Sequence, residues 1–493
     1  MSVLNTKMIA LADAIRDKSG IEDTLSISEM TDAVKSIDAG GGKNEDLLIT
    51  HEIITYTNTR ISKLKMGAFC GASKLTSVNL PKVSNIPSYA FYQCTNLVTA
   101  SIPSCTGVEP YAFTSCQNLT EAIFPLCSAI SNHAFMSCRN LVKASLPICS
   151  SIGTMAFNGC AKLAEIYAPS CPRVCNSTFC SCYNLKKAEF PQCTCIESFA
   201  FLRCSNLEEV SFPSCTYVGS SAFYGCENLS EIFFPLCNST GYSAFYGCIN
   251  LVKATFPQCT IIGDGTFYGC SKLAEISFPM CTSIYSGAFG GCNFESITSQ
   301  NFPKCTYIGS WAFFRCARLR EVEFSLVSTI YSQAFSAVSS LTKINFPEGK
   351  TVHYGAFYDC FCLAEANLPK CTTVSDFAFT RCALSTIDLP ACTTIKGNAF
   401  ANNSSLTHVS LPVCSIIGSY AFFGCINLVS MYLGASSVCR LSHSNAFGRN
   451  GTGTFTASIF VPASLIDAYK KATNWTYFSK RFVAIENIDG GGE

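Results

Sequence analysis

The sequence predicts a solenoid of 22-residue coils with a parallel β-sheet along one face, preceded by a small α-helical module and closed by a β/α C-terminal cap. Three observations predict this. Phenylalanine returns every 22 residues from Phe69 to Phe289, then resumes with small slips from Phe313 to Phe447. Most units carry a Leu-x-x-[Ile/Val/Ala]-x-[Leu/Phe]-Pro run, as at Leu207, Val210, Phe212 and Pro213. Cysteine recurs every 11 residues between Cys94 and Cys292.

Residues 1–38 lie outside the repeat. Leu4, Met8, Leu11 and Ile15 recur at helical spacing, and Gly20 ends that helix. Ser26 and Glu29 form a capping-box start for a second helix reaching Ile37. So small an amphipathic pair suits docking or oligomerisation better than independent folding. The runs Leu11-Ala12-Asp13-Ala14-Ile15-Arg16 and Lys18-Ser19-Gly20, with the Leu25 to Ile37 helix entry, are similar to a module near the N-termini of phage and prophage tail-fibre and tail-associated proteins. The resemblance implies attachment to tail or baseplate proteins through residues 1–38. A Gly-rich linker, residues 39–46, follows.

The solenoid is placed at residues 47–433. In Cys204 to Cys226, Val210 and Phe212 alternate with period two, as a half-buried strand requires. Pro213 lacks an N–H and opens a turn, Val218 begins a second short apolar segment, and Ala222 beside Phe223 suits a tight bend around a ring. Stacked coils place equivalent strands about 4.7–4.9 Å apart. One coil cannot stand alone, since ordering each residue costs about 1–2 kcal/mol while each large buried side chain returns about 1.5–3 kcal/mol. From about residue 64 to 433 the units resemble the BspA-type leucine-rich repeat, Ala-Phe-x-x-Cys-x-x-Leu-x-x-[Ile/Val/Ala]-x-[Leu/Phe]-Pro. That resemblance implies a right-handed leucine-rich-repeat solenoid whose relatives are mostly surface, adhesion or host-interaction proteins. The chain departs from the pattern at Cys292–Pro303, which carries extra residues, and at Phe324–Val327, where Pro-x-Cys is missing.

Residues 434–488 read as the last coil and cap. Ser458 to Pro462 forms the last strand, Ala463 to Ala472 a helix, and Trp475, Tyr477 and Phe478 cover the exposed edge. Residues 489–493 are a flexible Gly-rich tail.

Composition narrows the functions. With 34 basic and 33 acidic residues the net charge is +1, and no basic run tracks a phosphate backbone, so nucleic acid is not an expected partner. Only 14% of residues are charged, yet no stretch of about 18 apolar residues spans a bilayer. Membrane insertion is not expected. Lys7, Asp13, Arg16 and Asp17 interrupt the N-terminus, which argues against a secretory signal.

Two cysteine columns run through the stack, one from Cys94 and Cys116 onward, the other from Cys105 and Cys127 onward. Neighbouring Cβ vectors in a parallel stack point the same way, which favours reduced, buried thiols in a reducing compartment over disulfides. Metal is the weaker alternative, because Cys180-Ser-Cys182, Cys193-Thr-Cys195 and Cys360-Phe-Cys362 lack the histidines or second pair that zinc requires. No metal or cofactor is expected.

Two outward columns are candidate contact surfaces. The first strand position reads Glu121, Lys143, Glu165, Lys187, Glu209, Glu231, Lys253 and Glu275, a charge ladder that either sets coil register or forms a recognition stripe. The position after the Phe reads Tyr224, Tyr246 and Tyr268, a ridge that either meets a sugar or protein or packs on the next coil. Tyr167 and Phe233 are further exposed strand aromatics.

Together these features lead to a phage or prophage tail receptor-binding protein, located on the virion, whose rod meets a host cell-surface glycan or protein. The alternative is a BspA-like adhesin on the surface of a bacterium or protist. Either could be a homo-oligomer. No nucleophile elbow, His-Glu-x-x-His or phosphate-cradling loop is present, and no enzyme activity is expected.

Overall fold

Each 22-residue unit forms one coil with two short strands, as the alternation and the proline turn require. The computed structural model describes residues 53–448 and 455–485; the module expected at residues 1–38, the linker and the Gly-rich tail lie outside the described residues. The first strand of a coil is usually three residues long, such as Glu121–Ile123, with its middle side chain turned inward. The second is two residues, such as Tyr217–Val218, with its second side chain buried. All pairings between coils are parallel and in register, for example Glu231 with Lys253 and Val218 with Thr240.

The expected single continuous sheet is corrected in one respect. The two-residue strands from Arg173–Val174 to Arg440–Leu441 form an unbroken 13-stranded sheet, whereas the three-residue strands fall into five blocks. The last strand before each break holds its middle residue only half-buried, at Ala100, Val210, Ile276 and Ala366. Two of the breaks coincide with length changes, 24 residues from Phe289 to Phe313 and 21 from Phe379 to Phe400.

Inside, the clock residues form one stack. Eighteen rings from Phe69 to Phe447 lie nearly parallel, with centroid spacings such as 4.9 Å for Phe91–Phe113 and 5.8 Å for Phe422–Phe447. A second stack from Phe190 to Phe346 meets the first edge to face, as at Phe245–Phe256, 6.0 Å and 71°. This is the arrangement that the ring quadrupole favours between columns.

The cysteine columns complete the interior. Sγ of Cys116 donates to Phe91 O of the preceding coil (3.0 Å), and the bond repeats along the column, as at Cys226 to Phe201 O (3.2 Å). Asn403 stands at one such position, and its Nδ2 reaches the equivalent carbonyl, Phe379 O, at 2.7 Å. Val327 and Val338 fill the columns where cysteine is absent, both fully buried. All 33 cysteines carry free thiols. Burial pushes the Cys316 thiol up to about 12 and Cys193 up to about 11, so neither ionises near neutral pH.

From Phe69 to Phe422, the turn around each clock Phe uses a left-handed residue two before and two after it. At the Phe113 coil these are Tyr111 (φ 60°) and Ser115 (φ 61°). That conformation turns their N–H groups toward the next coil, where Tyr111 N meets Asn132 O (3.2 Å) and Ser115 N meets Met136 O (2.8 Å). Strain of about 1–2 kcal/mol per non-Gly residue is thus set against an intercoil hydrogen bond. Ala337 occupies such a position at φ 58°. Replacing it by glycine is expected to raise stability by about 0.5–1 kcal/mol after the entropy of glycine is subtracted. The reverse change, Gly247→Ala, should lower it by a similar amount, because nothing lies within 4 Å of the added Cβ and only the φ of 69° is penalised. Denaturant midpoints of the two variants check the sign, and a parallel shift in both would refute the strain.

At the C-terminal end the sequence reading needs three corrections. The strand Ser458–Val461 is not the last, since Phe482–Ala484 pairs with its outer edge. The helix spans only Ile466–Lys471, entered by a 3-10 turn at Ala463–Leu465 and ended where Ala472 turns extended, ψ 146°. Tyr477 is 76% exposed and covers nothing, while Trp475 and Phe478 are buried.

Candidate functional site

The outward strand column stands as an ordered charge ladder. Glu121, Lys143, Glu165, Lys187 and Glu209 are consecutive register partners. The pairs that close to ion-pair distance include Lys187–Glu209 (3.3 Å), Lys253–Glu275 (3.4 Å) and Lys343–Glu365 (3.4 Å), each lysine leaning toward the following coil. Lys187 also meets Glu189 at 3.0 Å, and these two glutamates hold its ammonium above its ordinary value. Lys253 is 48% and Glu275 63% exposed, so solvent screens this pair. Tyr167 (56% exposed) and Phe233 (58%) stand at the third strand position of separate coils.

The tyrosine column lies on another arc of the coil, in the turn that carries the clock Phe. Tyr224, Tyr246 and Tyr268 are half-buried and stack at 4.7 and 5.3 Å with rings within 9° of parallel. Within the column they pack on one another. Burial raises the Tyr246 phenol above its ordinary value, with smaller contributions from Tyr224, Tyr268 and Tyr242. The far face of Tyr268 lies over Gly290, where a Cβ would fall 2.5 Å from its ring carbons.

A groove of about 400 Å³ opens beside this column, lined by Tyr242, Ser243, Tyr246, Asp264, Gly265, Tyr268, Ser286 and Gly287. Asp264 Oδ1 accepts Ser286 N–H at 2.8 Å, which orients its carboxylate on the rim. The structure therefore gathers Tyr246 and Tyr268 with Tyr242 and Asp264, and leaves Tyr167, Phe233 and the charge ladder elsewhere. Tyr242, Asp264, Gly265 and Gly287 were not singled out from sequence. Their signal was two consecutive glycines at a column position that holds Tyr89, Tyr111, Phe199 and Trp311 in other coils. Among the described residues no cluster of His, Cys, Asp or Glu is arranged to hold a metal ion, and no helix is long and apolar enough to cross a membrane.

Two-stranded coils, parallel registers and buried ladders define the class as a leucine-rich-repeat solenoid. The family model described as BspA type leucine rich repeat region (6 copies) matches residues 50–148, 128–251, 238–363 and 328–452, and the chain belongs to that family. Among solved structures, it is similar to a leucine-rich repeat protein from Bacteroides ovatus ATCC 8483, with 22% identity, TM-score 0.53, and coverage of 79% of this chain and 91% of that one. A leucine rich cell surface protein from Faecalibacterium prausnitzii A2-165 matches at 19% identity over 77% of this chain and 87% of that one, TM-score 0.29. A leucine-rich repeat protein from Eubacterium ventriosum ATCC 27560 matches at 19% identity over 75% and 88%, TM-score 0.34. No curated protein sequence matches the chain.

Proposed function

We propose that this chain is a BspA-like adhesion protein that binds a glycan or protein of a cell surface through side chains presented on its repeat rod, without catalysing a reaction. The observation that carries this reading is the repetition of outward side chains in fixed register over many coils, as in the ladder from Glu121 to Glu209. Such a surface multiplies weak contacts, and among the described residues the buried interior, mainly Phe, Cys, Leu and Ile, brings together no acid, base and nucleophile. The family supports placement at a cell surface. Fluorescently labelled full-length protein, kept reduced and incubated with a panel of gut Gram-positive cells, is expected to bind selected strains saturably. Absence of binding to every strain would overturn the reading in favour of a structural spacer.

A second reading places the same rod on a phage tail, attached through residues 1–38 to tail or baseplate proteins and directed at the bacterial host. The resemblance of Leu11 to Arg16 and Lys18 to Gly20 to tail-associated proteins favours it. Free buried thiols also suit synthesis in a reducing cytoplasm. Deleting residues 1–42 should abolish incorporation into tails while the rod still folds; normal incorporation would exclude this placement.

A further inference from the structure

We propose that the groove beside Tyr246 and Tyr268 is a binding trench for a neutral or cationic oligosaccharide, an assignment that gives the ligand class of the surface-recognition reading and rests on it. The trench exists because of what one column lacks. Two residues before the clock Phe, seven coils carry a ring (Tyr89, Tyr111, His133, Phe199, Trp311, Phe377, Tyr420), and in two of them it lies edge-on against the aromatic three positions later, Tyr89 with Tyr92 (5.4 Å, 62°) and Tyr420 with Phe423 (5.7 Å, 71°). In the coils of Phe223 to Phe289 that position is Ser221, Ser243, Gly265 and Gly287. The edges of the stacked tyrosines are left uncovered there, and within this column rings return at the flanking coils, Phe199 (40% exposed) and Trp311 (45%).

The chemistry of the lining selects the ligand. Both faces of Tyr246 are taken by its stacked neighbours, so the column offers phenol edges and hydroxyls at one-coil intervals. Tyr242, 64% exposed, supplies an open ring for the C–H face of a sugar. Asp264, Ser243 and Ser286 add a carboxylate and hydroxyls. No Lys, Arg or His lines the trench, so an anionic ligand finds no counter-charge, whereas Asp264 accepts sugar hydroxyls or pairs with an amino sugar. An extended peptide fits poorly, because the floor has no free strand edge: Ser243, Gly265 and Gly287 N–H groups donate to Asp264, Ser286 and Ser310 carbonyls of the next coil at 2.8, 2.7 and 2.8 Å. Recurrent donors at one-coil spacing match a polymer of recurrent units.

The test uses the full chain and isothermal titration with tetrasaccharides of glucose, mannose, N-acetylglucosamine and glucosamine, beside a sulfated oligosaccharide. The blocking variant is Gly265→Asn with Gly287→Asn. Asn398 already takes this column position at φ 55°, so asparagine can be seated there at the cost of left-handed strain, with Ser243 Oγ, 3.2 Å from a Cβ at Gly265, giving way slightly. At least one neutral or cationic tetrasaccharide is expected to bind the parent, and the variant should bind it about tenfold more weakly or worse, with an unfolding midpoint lowered only by the left-handed strain of the two asparagines. The proposal is overturned if none of them binds, if the sulfated chain binds as well as the others, or if the variant binds like the parent. Cell binding without any tetrasaccharide binding removes the trench and leaves the surface reading standing; tetrasaccharide binding without cell binding does the reverse.

Discussion

Phe245→Ala is expected to cost about 3–5 kcal/mol and to split the unfolding of the rod into two transitions. Phe245 is fully buried, stacked between Phe223 (5.1 Å) and Phe267 (5.4 Å), and met edge-on by Phe256 (6.0 Å). No neighbour can slide into the vacancy, because the stack spacing is fixed by in-register backbone bonds on both sides, Phe223 N to Ala244 O and Phe245 N to Thr266 O. In a one-dimensional array the lost interface has no distant contact to compensate it, so the halves on either side become thermodynamically separable. Denaturation followed by circular dichroism and by hydrogen exchange checks this. Loss of under about 1 kcal/mol with one sharp transition would show that the stack does not carry the cooperativity.

The same stack shows which parts of the fold were legible. Phe69 to Phe289 announced the coil length because every ring must meet its neighbour at one fixed position, and burial tolerates no drift there. The breaks in the first sheet at Ala100 and Val210 were not legible, since the interval remains 22 residues and only the seating of one small side chain changes. The left-handed turns also escaped reading: Tyr111, Phe199 and Trp311 hold φ between 55° and 60°, a conformation that residue preference assigns to glycine. Intercoil hydrogen bonds override that preference. At the candidate site the tyrosine column was visible as a period, but the trench is made of missing side chains at Gly265 and Gly287 and needs the neighbouring column for its meaning.

Trp475→Ala is expected to loosen the C-terminal end by about 3–5 kcal/mol and to make rods associate through it. The reason lies in how the 13-stranded sheet stops. In an interior coil the next coil satisfies the exposed carbonyls, as Arg440 N does for Ser415 O (2.7 Å) and Ser442 N for Ile417 O (2.9 Å). After the final strand, Arg440–Leu441, two side chains take over those roles. Trp475 Nε1 donates to Cys439 O (2.6 Å) and Asn474 Nδ2 to Leu441 O (2.8 Å), while the Tyr469 hydroxyl accepts Cys439 N–H (2.9 Å). Trp475 is fully buried and meets Phe447, Tyr469, Phe478 and Phe482 at 5.5–6.1 Å, so its loss removes both the donor and the wedge that holds the segment down. An uncovered parallel edge then resembles the face that each coil offers its successor, which is a template for a second rod. Light scattering of Trp475→Ala should show mass rising with concentration, while Asn474→Gly, which keeps the left-handed φ of 67°, should lose about 1 kcal/mol and remain dispersed. A Trp475→Ala rod that stays as dispersed and as stable as the parent would mean that the strand Phe482–Ala484, not the tryptophan, holds the end closed.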